Sequence, residues 1–480
     1  MIKTSTAEMK QNIFIDKVLS LSDFELSSDQ KQAVDLFADF LIEETESTLS
    51  IFVLSGYAGT GKSTLTSLIN KTLRSFKVNT RLAAPTGRAA KVLSVYANQK
   101  AQTIHKEIYF GGSALEDRVK LTPAKNKHRN ALFFIDEASM IPSGSYGGEN
   151  DILSDLIYFV RDGYKCKLVF IGDIGQLPPV GQDSSPALDA EFLESSFNNV
   201  QVRYAKLQQI FRTAESSSII SNATYIRNKS IFQPPFIIEL DGNTQSINGH
   251  EVQEKLEESI QAKGADNVVV LTLSNKQANR WNSGIRQRIH YREEVIESNE
   301  SLLVIRNNYF WIAPTSPMGF LANGENIRIE QLVKEEVLYG FEFATVLISF
   351  PNYPEEVYKE VMIMKDTLLL ETATLGRDKM KELFFEIEKD YWHISSKSKR
   401  YQEILMNPYF NALHVKYANA LTVHKAQGGQ WQDVYLDGSY IPEQMKDTSY
   451  IRWLYTAATR AKDTLYLVNF PKEFFHGQGY

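Results

Sequence analysis

The fold of this chain is decided by the stretch Gly56-Tyr57-Ala58-Gly59-Thr60-Gly61-Lys62-Ser63, which reads G-x-x-x-x-G-K-S. In such a P-loop, glycines let backbone N–H groups approach phosphates, the lysine reaches the outer phosphates, and the serine hydroxyl ligates Mg²⁺. A strand pattern at residues 51–54 precedes the loop and an amphipathic helical pattern follows it, which favours a true phosphate loop over a chance match. The residues expected to contact the nucleotide here are Gly56, Ala58, Gly59, Thr60, Gly61, Lys62, Ser63 and Thr64.

Two carboxylates, Asp136 and Glu137, follow an apolar strand pattern at residues 132–135. We expect Asp136 to hold Mg²⁺ together with Ser63, and Glu137 to polarise the water that attacks the γ-phosphate. The alternative is a solvated acidic pair, and the apolar strand before the pair makes that alternative the weaker one. A kinase has less need of the second carboxylate, so the chain is predicted to hydrolyse its nucleotide.

A third nucleotide element is predicted in Gly172-Asp173-Ile174-Gly175-Gln176, at the end of a further strand pattern. The Gln176 side-chain amide would there touch both the γ-phosphate and the attacking water. A loop glutamine usually contacts only solvent, so this prediction depends on the Gly-Asp-x-x-Gln context, one strand beyond Asp136.

The composition is that of an ordinary globular protein whose 480 residues allow roughly three domains. Cys166 is the only cysteine, which excludes an intramolecular disulfide and a zinc cluster built on thiolates. No stretch has the length and apolar character of a signal peptide or a membrane span, so we expect a cytoplasmic protein without a membrane partner.

The charge pattern leaves room for a local nucleic-acid groove. A net charge of −6 argues against a protein that coats nucleic acid with its whole surface. From Lys62 to Lys106, however, the chain has nine Lys and Arg and no Asp or Glu. A charge run is more often a solvated face, but this one contains further motifs.

Strand patterns that alternate with helical patterns predict an α/β protein with parallel, doubly wound sheets. Two such domains are expected, the first with an inserted hairpin and the second with an inserted small β-barrel and helical subdomain. The predicted divisions are a polar leader at 1–27, a first domain at 28–195 with the hairpin at about 107–130, a second domain at 196–324 and 411–480, and the insertion at 325–410.

The order of the motifs resembles superfamily 1 helicases, specifically the 1B branch typified by RecD and the phage Dda helicase. The matches extend in the family's order from about residue 28 to 470. Besides the elements above they comprise Gln30 in Ser28-Asp29-Gln30, the stretches Ala84-Pro85-Thr86-Gly87-Arg88 and Thr103-Ile104-His105, Gln208-Gln209-Ile210-Phe211-Arg212, Thr422-Val423-His424-Lys425-Ala426-Gln427-Gly428, and Ala458-Thr459-Arg460.

This resemblance implies two RecA-like domains with Mg²⁺ and ATP in the cleft between them. Gln30 would read the adenine edge, and the Gly428 backbone would approach the γ-phosphate. Arg212 and Arg460 would reach across from the second domain as arginine fingers, which are worth several powers of ten in rate. Taken alone, Arg212 is an ordinary surface arginine, and Arg460 could merely complement a helix dipole.

The resemblance also implies that single-stranded DNA lies across the top of both domains and that the protein acts at duplex junctions. The strand contacts would be Pro85, Thr86, Thr103 and His105 from the first domain, and Asn275, Thr422, His424 and Lys425 from the second. Tyr109 and Phe110 would form a wedge that stacks on the first base pair. The 1B branch implies 5′ to 3′ movement, and we expect a monomer. His424 could instead be a satisfied core histidine.

Particular residues disfavour two other functions and leave two more open. A GTP-driven switch needs Asn-Lys-x-Asp to read guanine, and Asn275-Lys276-Gln277 is followed by Ala278, so the carboxylate is missing. A nonenzymatic clamp would be expected to have lost Lys62, Glu137 or an arginine finger. A translocase that displaces proteins without unwinding, and an RNA-directed helicase, both stay open.

Overall fold

The structure is a computed structural model that describes most of the chain in several stretches. They are residues 2–43, 48–109, 123–144, 151–211, 218–229, 238–313, 316, 318–351, 353–372, 374–440 and 448–475. None of the helices in these stretches has the length and apolar character needed to cross a membrane.

The first sheet has six parallel strands in the order β3-β2-β4-β5-β1-β6. Its central strands are buried along their whole length, as expected for a parallel sheet covered by helices on both faces. The strands are β1 (Leu49–Gly56), β2 (Asn79–Ala84), β3 (Ala101–Thr103), β4 (Ala131–Ile135), β5 (Lys167–Gly172) and β6 (Val200–Leu207). The helices are α1 (Ile2–Leu21), α2 (Ser28–Ile42), α3 (Lys62–Ser75), α4 (Gly87–Ala97), α5 (Ile104–Tyr109), α6 (Ile152–Asp162) and α7 (Ala190–Ser196).

The boundary between the two sheets lies after β6, not at residue 196 as the sequence suggested. Strand β6 pairs in parallel with β1 over its whole length, from Leu49 opposite Val200 to Gly56 opposite Leu207. The prediction was wrong because polar residues interrupt this strand and only Ala205 and Leu207 of it are buried, so it lacks the continuous apolar run of the central strands. The chain therefore leaves the first domain only after residue 207.

The polar leader predicted at 1–27 is also corrected. Residues 2–21 form helix α1, and Phe14 and Val18 are buried in the same apolar core as Phe37 on α2. The Phe14 and Phe37 rings stack with centroids 5.8 Å apart. Because the apolar residues of α1 do not keep to one side of the helix, with Ile13 and Leu19 each 47% exposed, its sequence gave little indication of a packed face.

The second sheet has five parallel strands in the order β14-β8-β15-β16-β7. Its strands are β7 (Thr244–Ile247), β8 (Val268–Thr272), β14 (Ala420–Thr422), β15 (Trp431–Asp437) and β16 (Ala461–Val468). Its helices are α8 (Ser218–Arg227), α9 (Val252–Lys263), α10 (Asn275–Arg288) and α13 (Thr448–Ala458). Two parallel sheets with helices are what the sequence predicted, and the fold class is confirmed.

The insertion into the second domain contains a closed barrel followed by a helical segment. The barrel order is β10-β11-β12-β13-β9, with strands β9 (Ser301–Val304), β10 (Asn326–Leu338), β11 (Phe341–Ser349), β12 (Lys359–Met364) and β13 (Leu413–Tyr417). Helices α11 (Arg377–Glu388) and α12 (Lys397–Met406) lie between its last two strands. The predicted limits of 325–410 were too narrow, since β9 and β13 close the barrel from outside them.

The inserted hairpin predicted at about 107–130 is only partly described. Residues 107–109 are the last residues of helix α5, so the prediction was wrong there. Residues 110–122, which include Phe110, lie outside the described residues.

A substitution at Phe14 tests whether α1 belongs to the first domain. Phe14→Ala removes a buried ring, and we expect the free energy of unfolding to fall by about 3 kcal/mol. Met9→Ala, on the same helix at a side chain that is 64% exposed, should change it by less than about 0.5 kcal/mol. Denaturant unfolding of both variants measures the difference, and equal effects would show that α1 is not packed.

Candidate functional site: a nucleotide cleft between two sheets

The P-loop connects the carboxyl end of β1 to the start of α3. Gly59 and Gly61 have φ angles of 78° and 77°, which only glycine adopts without strain. The Lys62 ammonium donates to the carbonyl oxygens of Gly56 at 2.7 Å and Tyr57 at 2.8 Å. The lysine thus folds back over the loop that it belongs to, and a nucleotide must take it from those two carbonyls.

The residues expected to hold Mg²⁺ meet at one point. The Tyr96 hydroxyl hydrogen bonds to the Asp136 carboxylate and to the Ser63 side chain. Burial and the neighbouring Asp136 charge raise the pKa of Tyr96 well above its usual range, so this hydroxyl keeps its proton. A hydroxyl and a carboxylate oxygen that converge in this way suit a hard cation such as Mg²⁺.

Glu137 directly follows Asp136 in a left-handed backbone conformation, with φ of 51°. Burial raises the pKa of Glu137, and the Arg460 guanidinium opposes that rise. Arg460 therefore lies within electrostatic reach of the predicted base, although the two residues belong to different sheets.

Arg460 follows α13 and is held by backbone groups of its own domain. Its guanidinium donates to the Thr456 carbonyl at 3.1 Å and the Gly429 carbonyl at 3.2 Å, and only 3% of the residue is exposed. Arg212, the other expected finger, lies outside the described residues. Its neighbour Phe211 is fixed to the P-loop, because the Phe211 N–H donates to the Gly59 carbonyl at 3.2 Å.

Gln176 lies in the loop after β5 and is 6% exposed. Its side-chain oxygen is buried, with no hydrogen-bond partner among the described residues. The next residue is clamped by the second domain, since the Leu177 N–H donates to the Thr456 hydroxyl and the Leu177 carbonyl accepts from Gln427. An unsatisfied buried acceptor of this kind requires a partner, such as a water.

Gln30 is engaged differently from the expectation that it reads adenine. Its side-chain oxygen accepts from the Ser27 N–H and completes a capping box at the start of α2. Its amide nitrogen points at the Thr60 carbonyl, 3.4 Å away, and the residue is fully buried. Here Gln30 contacts the P-loop through the Thr60 carbonyl, and both polar atoms of its side chain are engaged by backbone groups of the protein.

Gly428 lies where the second domain meets the first. A side chain at this position, where φ is 71°, would meet Ala89 at 2.9 Å and Thr86 at 3.3 Å. The glycine therefore allows a close approach of the second domain to the start of α4. Its approach to the γ-phosphate stays a prediction.

Tyr455 on α13 is a cleft residue that the sequence analysis missed. Its hydroxyl accepts from the Ala58 N–H of the P-loop at 2.8 Å and donates to the Asp173 carboxylate at 2.7 Å. Arg227, at the end of α8, stacks its guanidinium 3.6 Å over the ring of Tyr57. Two second-domain side chains thus dock on consecutive P-loop residues.

The sequence gives little indication that Tyr455, Tyr96 and Asp173 belong to the cleft. Tyr455 stands five residues before Arg460, where one face of a helix reads as ordinary core. Tyr96 lies far from Asp136 in the sequence, and only the packing of α4 brings them together. Asp173 did lie in a predicted motif, but its partner was on another domain.

The predicted DNA contacts of the first domain lie at the ends of β2 and β3. Pro85 and Thr86 connect β2 to α4, and Thr86 caps that helix by accepting from Ala89. Thr103 is buried and its hydroxyl accepts from the Lys106 N–H. Burial lowers the pKa of His105 to about 4, so its ring is neutral at physiological pH.

Loop residues 316–325 lie over these first-domain positions. The Phe320 ring is 6.4 Å from that of His105, and the Lys106 ammonium donates to the Ser316 carbonyl. Gly324 faces Thr86, and the Glu325 carboxylate lies directly against Gly87. A strand that reaches Thr86 must therefore pass beneath this loop or displace it.

The predicted DNA contacts of the second domain share one small cavity of about 10 Å³. Asn275, Thr422 and Lys425 line it together with Lys416. The Lys425 ammonium is buried without a hydrogen-bond partner in the described part of the chain, and burial lowers its pKa to about 7. Burial also lowers the pKa of the neighbouring His424. In the free protein, burial therefore favours the neutral form of both side chains.

Tyr109 does not form a wedge in this structure. It is 8% exposed, packs in the core below the first sheet, and donates its hydroxyl to Asp155 at 2.6 Å. The prediction was wrong because Tyr109 belongs to helix α5, whose buried face includes Ile104 and Ile108.

Two family models match the chain, one on each side of the cleft. The model described as an AAA domain matches residues 41–182, which include the P-loop and both carboxylates. The model described as a UvrD-like helicase C-terminal domain matches residues 417–468, which include Lys425 and Arg460. Over both regions the chain is similar to the superfamily 1B helicases, in particular to the RecD-like and Dda-like group. This is a family of ATP-hydrolysing DNA helicases.

The individual relatives are distant from this chain in sequence. "Uncharacterized protein R530" of Acanthamoeba polyphaga mimivirus is 25% identical over 496 residues, covering 88% of this chain and 95% of its own. The ATP-dependent RecD2 DNA helicase of Deinococcus radiodurans is 32% identical over 173 residues, covering 36% and 21%. The ATP-dependent DNA helicase dda of phage T4 is 25% identical over 279 residues, covering 55% and 57%. The alignments thus span less than two thirds of either named helicase.

Removal of the Tyr455 hydroxyl tests the docking of the second domain on the P-loop. Tyr455→Phe leaves the Ala58 N–H unpaired and the Asp173 carboxylate with the Gly175 N–H as its remaining donor, at a cost of about 1–3 kcal/mol to the docked arrangement. We expect ATP turnover to fall roughly tenfold. Steady-state hydrolysis measures this.

Tyr435→Phe is the matched control for that substitution. Its hydroxyl also makes two hydrogen bonds, to Ser259 and to the Lys255 carbonyl, but away from the cleft. Equal loss of turnover in both variants would assign the effect to stability rather than to docking.

The lowered pKa of Lys425 predicts a pH dependence of strand binding. Below about pH 7 the ammonium is charged in the free protein, and above it a bound phosphate must bring a proton back. Affinity for single-stranded DNA should therefore fall as pH rises from 7 to 9, by at most about tenfold per pH unit. Lys425→Met should bind more weakly and lose this dependence, while Lys381→Met, exposed on α11, should keep it. An unchanged pH profile in Lys425→Met would remove Lys425 from the strand path.

Proposed function

We propose that this protein is an ATP-driven motor that moves 5′ to 3′ along single-stranded DNA and separates the duplex ahead of it. One observation carries the proposal: groups from both sheets meet around the P-loop. From the first domain come Lys62, Asp136, Glu137 and Gln176. From the second, Arg460 acts on the charge of Glu137 and Tyr455 binds the loop directly.

The division of labour between these groups supports hydrolysis of ATP. Glu137 would orient the attacking water, and the buried Gln176 oxygen would accept a hydrogen bond from it. Lys62 would leave the Gly56 and Tyr57 carbonyls for the outer phosphates. Mg²⁺, held by Ser63 and Asp136, would screen the phosphate charges.

Arg460 would complete the site by stabilising negative charge on the transferring phosphoryl group. Its guanidinium is held by carbonyls of the second domain, so its distance from the phosphate depends on how that domain sits on the P-loop. Closure and opening of the cleft would then alternate with binding and release of nucleotide.

A path for the strand is supported by the residues at the carboxyl ends of the strands in both sheets. Thr86 follows β2, Thr422 is the last residue of β14, and Lys425 follows β14. Hydroxyls and ammonium groups bind phosphates without reading the sequence. Thr86 also meets Gly428 of the second domain, so motion of the cleft would change the spacing of the two strand-binding sets.

A translocase that displaces proteins without unwinding is the second candidate. One observation favours it. Tyr109, which is the one predicted wedge residue that the structure describes, is buried and cannot stack on a base pair.

Forked duplexes distinguish these functions. Substrates with either a 5′ or a 3′ single-stranded tail are incubated with the protein, with and without ATP and Mg²⁺. We expect strand separation only with the 5′ tail and only with ATP and Mg²⁺. Glu137→Gln should keep ATP binding and lose both hydrolysis and unwinding, because the carboxylate that orients the water is gone.

The other outcomes are equally clear. Hydrolysis stimulated by single-stranded DNA without unwinding of either fork would favour the protein-displacing translocase. Unwinding of the 3′-tailed fork alone would contradict the polarity, and stimulation by RNA but not DNA would favour an RNA-directed helicase. Wild-type turnover in Glu137→Gln would contradict the catalytic assignment.

A further inference from the structure

We propose that the outer face of helix α10 is an additional binding surface for nucleic-acid backbone phosphates, which takes the single-stranded tail beyond the cavity at Lys425. The inference rests on the proposed function and adds a second contact surface to it. It concerns the face formed by Lys276, Arg280, Ser283, Gly284, Gln287 and Arg288, which we call the α10 face.

The α10 face forms one side of an open groove of about 410 Å³. Leu369 and Glu371 form the opposite side. Gly284 lies in the groove wall, and no atom lies within 4 Å of where its side chain would begin. The groove is therefore wide enough beside the helix to admit an extended chain.

Two of the three charges on this face, those of Lys276 and Arg280, are unfavourable for the helix itself, whereas Arg288 in the last turn complements the helix dipole. Lys276 stands in the first turn, where the helix dipole disfavours a cation. Lys276 and Arg280 are a like-charged pair at i and i+4, which also costs stability. Residues 267–292 contain five Lys and Arg and no Asp or Glu, and two of these five, Arg286 and Arg292, pair with Glu300 outside the α10 face. An external anion gives Lys276 and Arg280 a physical reason that helix stability does not.

Two of the arginines have no competing partner. Within the described stretches, the side chains of Arg280 and Arg288 make no ion pair, hydrogen bond or ring contact, and both are exposed. Lys276 does face a carboxylate, Glu371 at 3.5 Å, with both side chains more than half exposed. An exposed pair of this kind is worth little and is easily exchanged for a phosphate.

The α10 face continues the predicted strand path. Asn275, the first residue of α10, lines the cavity that holds Lys425, and Asn279 lines both that cavity and the groove. The rise of the helix places Arg280 about 6 Å beyond Lys276 and Arg288 about 12 Å beyond Arg280. The neutral groups between them, Ser283 and Gln287, are hydrogen-bonding side chains of the kind that contact phosphates without reading bases.

The chemistry favours a phosphate backbone over a protein segment. The groove has guanidinium, amide and hydroxyl groups, and Leu369 is its one large apolar side chain among the described residues. A peptide would need apolar anchors for affinity. A polyanion needs only the cations, and each contact releases counterions.

The test measures how binding of single-stranded DNA depends on salt. Arg280→Gln/Arg288→Gln removes two cations and keeps good helix formers. We expect the slope of log affinity against log salt to become shallower by about 1.4, since each phosphate contact on a single strand contributes about 0.7. Affinity at about 0.1 M salt should fall on the order of tenfold.

Matched variants separate this effect from general charge and folding. Lys381→Gln/Lys389→Gln removes two cations at the same spacing on and just after α11 and should leave the slope unchanged. Arg280→Lys/Arg288→Lys keeps both charges and should keep the slope. Thermal melting of all three variants checks that each is folded, and ATP hydrolysis without DNA should match the wild type.

The remaining outcomes overturn the proposal in distinguishable ways. An unchanged slope in Arg280→Gln/Arg288→Gln, with normal wild-type binding, contradicts the α10 face and leaves the motor intact. A loss seen with blunt duplex but not with single strands assigns the face to a duplex arm instead. A wild-type protein that binds no single strand contradicts the proposed function itself, and the inference with it.

Discussion

The docking of the second domain on the P-loop depends on one hydroxyl group. Tyr455 is buried, and its oxygen both receives the Ala58 N–H and donates to Asp173. Neither the backbone amide nor the carboxylate could be left unpaired at this depth without a cost of about 1–3 kcal/mol each. The position of the second sheet relative to the nucleotide loop is therefore specified by a polar contact with strict geometry, which apolar packing alone would leave free to slide.

The same contact connects the two loops that handle the nucleotide. Asp173 begins the loop that ends in Gln176, and Ala58 belongs to the loop that ends in Lys62. The next residue of α13, Thr456, accepts from Leu177, so a single turn of helix fixes both ends of the glutamine loop. A change at the γ-phosphate that moves either loop must move α13, and Arg460 follows it.

The sequence predicted what depends on local patterns. The P-loop, the strands with continuous apolar runs and the two-sheet architecture were read from periodicity and from short motifs, because buried parallel strands have a strong local signal. The sequence did not predict β6, whose apolar residues are interrupted by polar ones, or α1, whose apolar residues do not keep to one side of the helix. The barrel was expected, but its closing strands β9 and β13 were not, since they lie far apart in the chain.

The candidate site divides in the same way. Lys62, Asp136 and Gln176 lie in motifs and were found, while Tyr96, Arg227 and Tyr455 act through contacts between distant segments and were not. Gln30 and Tyr109 were assigned by resemblance to roles that their hydrogen bonds here do not support. The motifs thus predicted which residues gather at the P-loop. The role of each residue depends on which atoms of its side chain are not already engaged in hydrogen bonds within the protein.

The late boundary of the first domain has a mechanical consequence. Strand β6 ends at Leu207 and the next described helix is α8, so within the described residues the backbone passes from the first domain to the second after Leu207. The start of that connection is held in place by the first domain. The Asp29 carboxylate accepts hydrogen bonds from the backbone N–H groups of Gln208 and Gln209, and the Phe211 ring packs against Gly61. The connection between the two domains therefore starts beside the P-loop. A rotation of one domain about this connection would reach the P-loop before it reached the rest of the other domain.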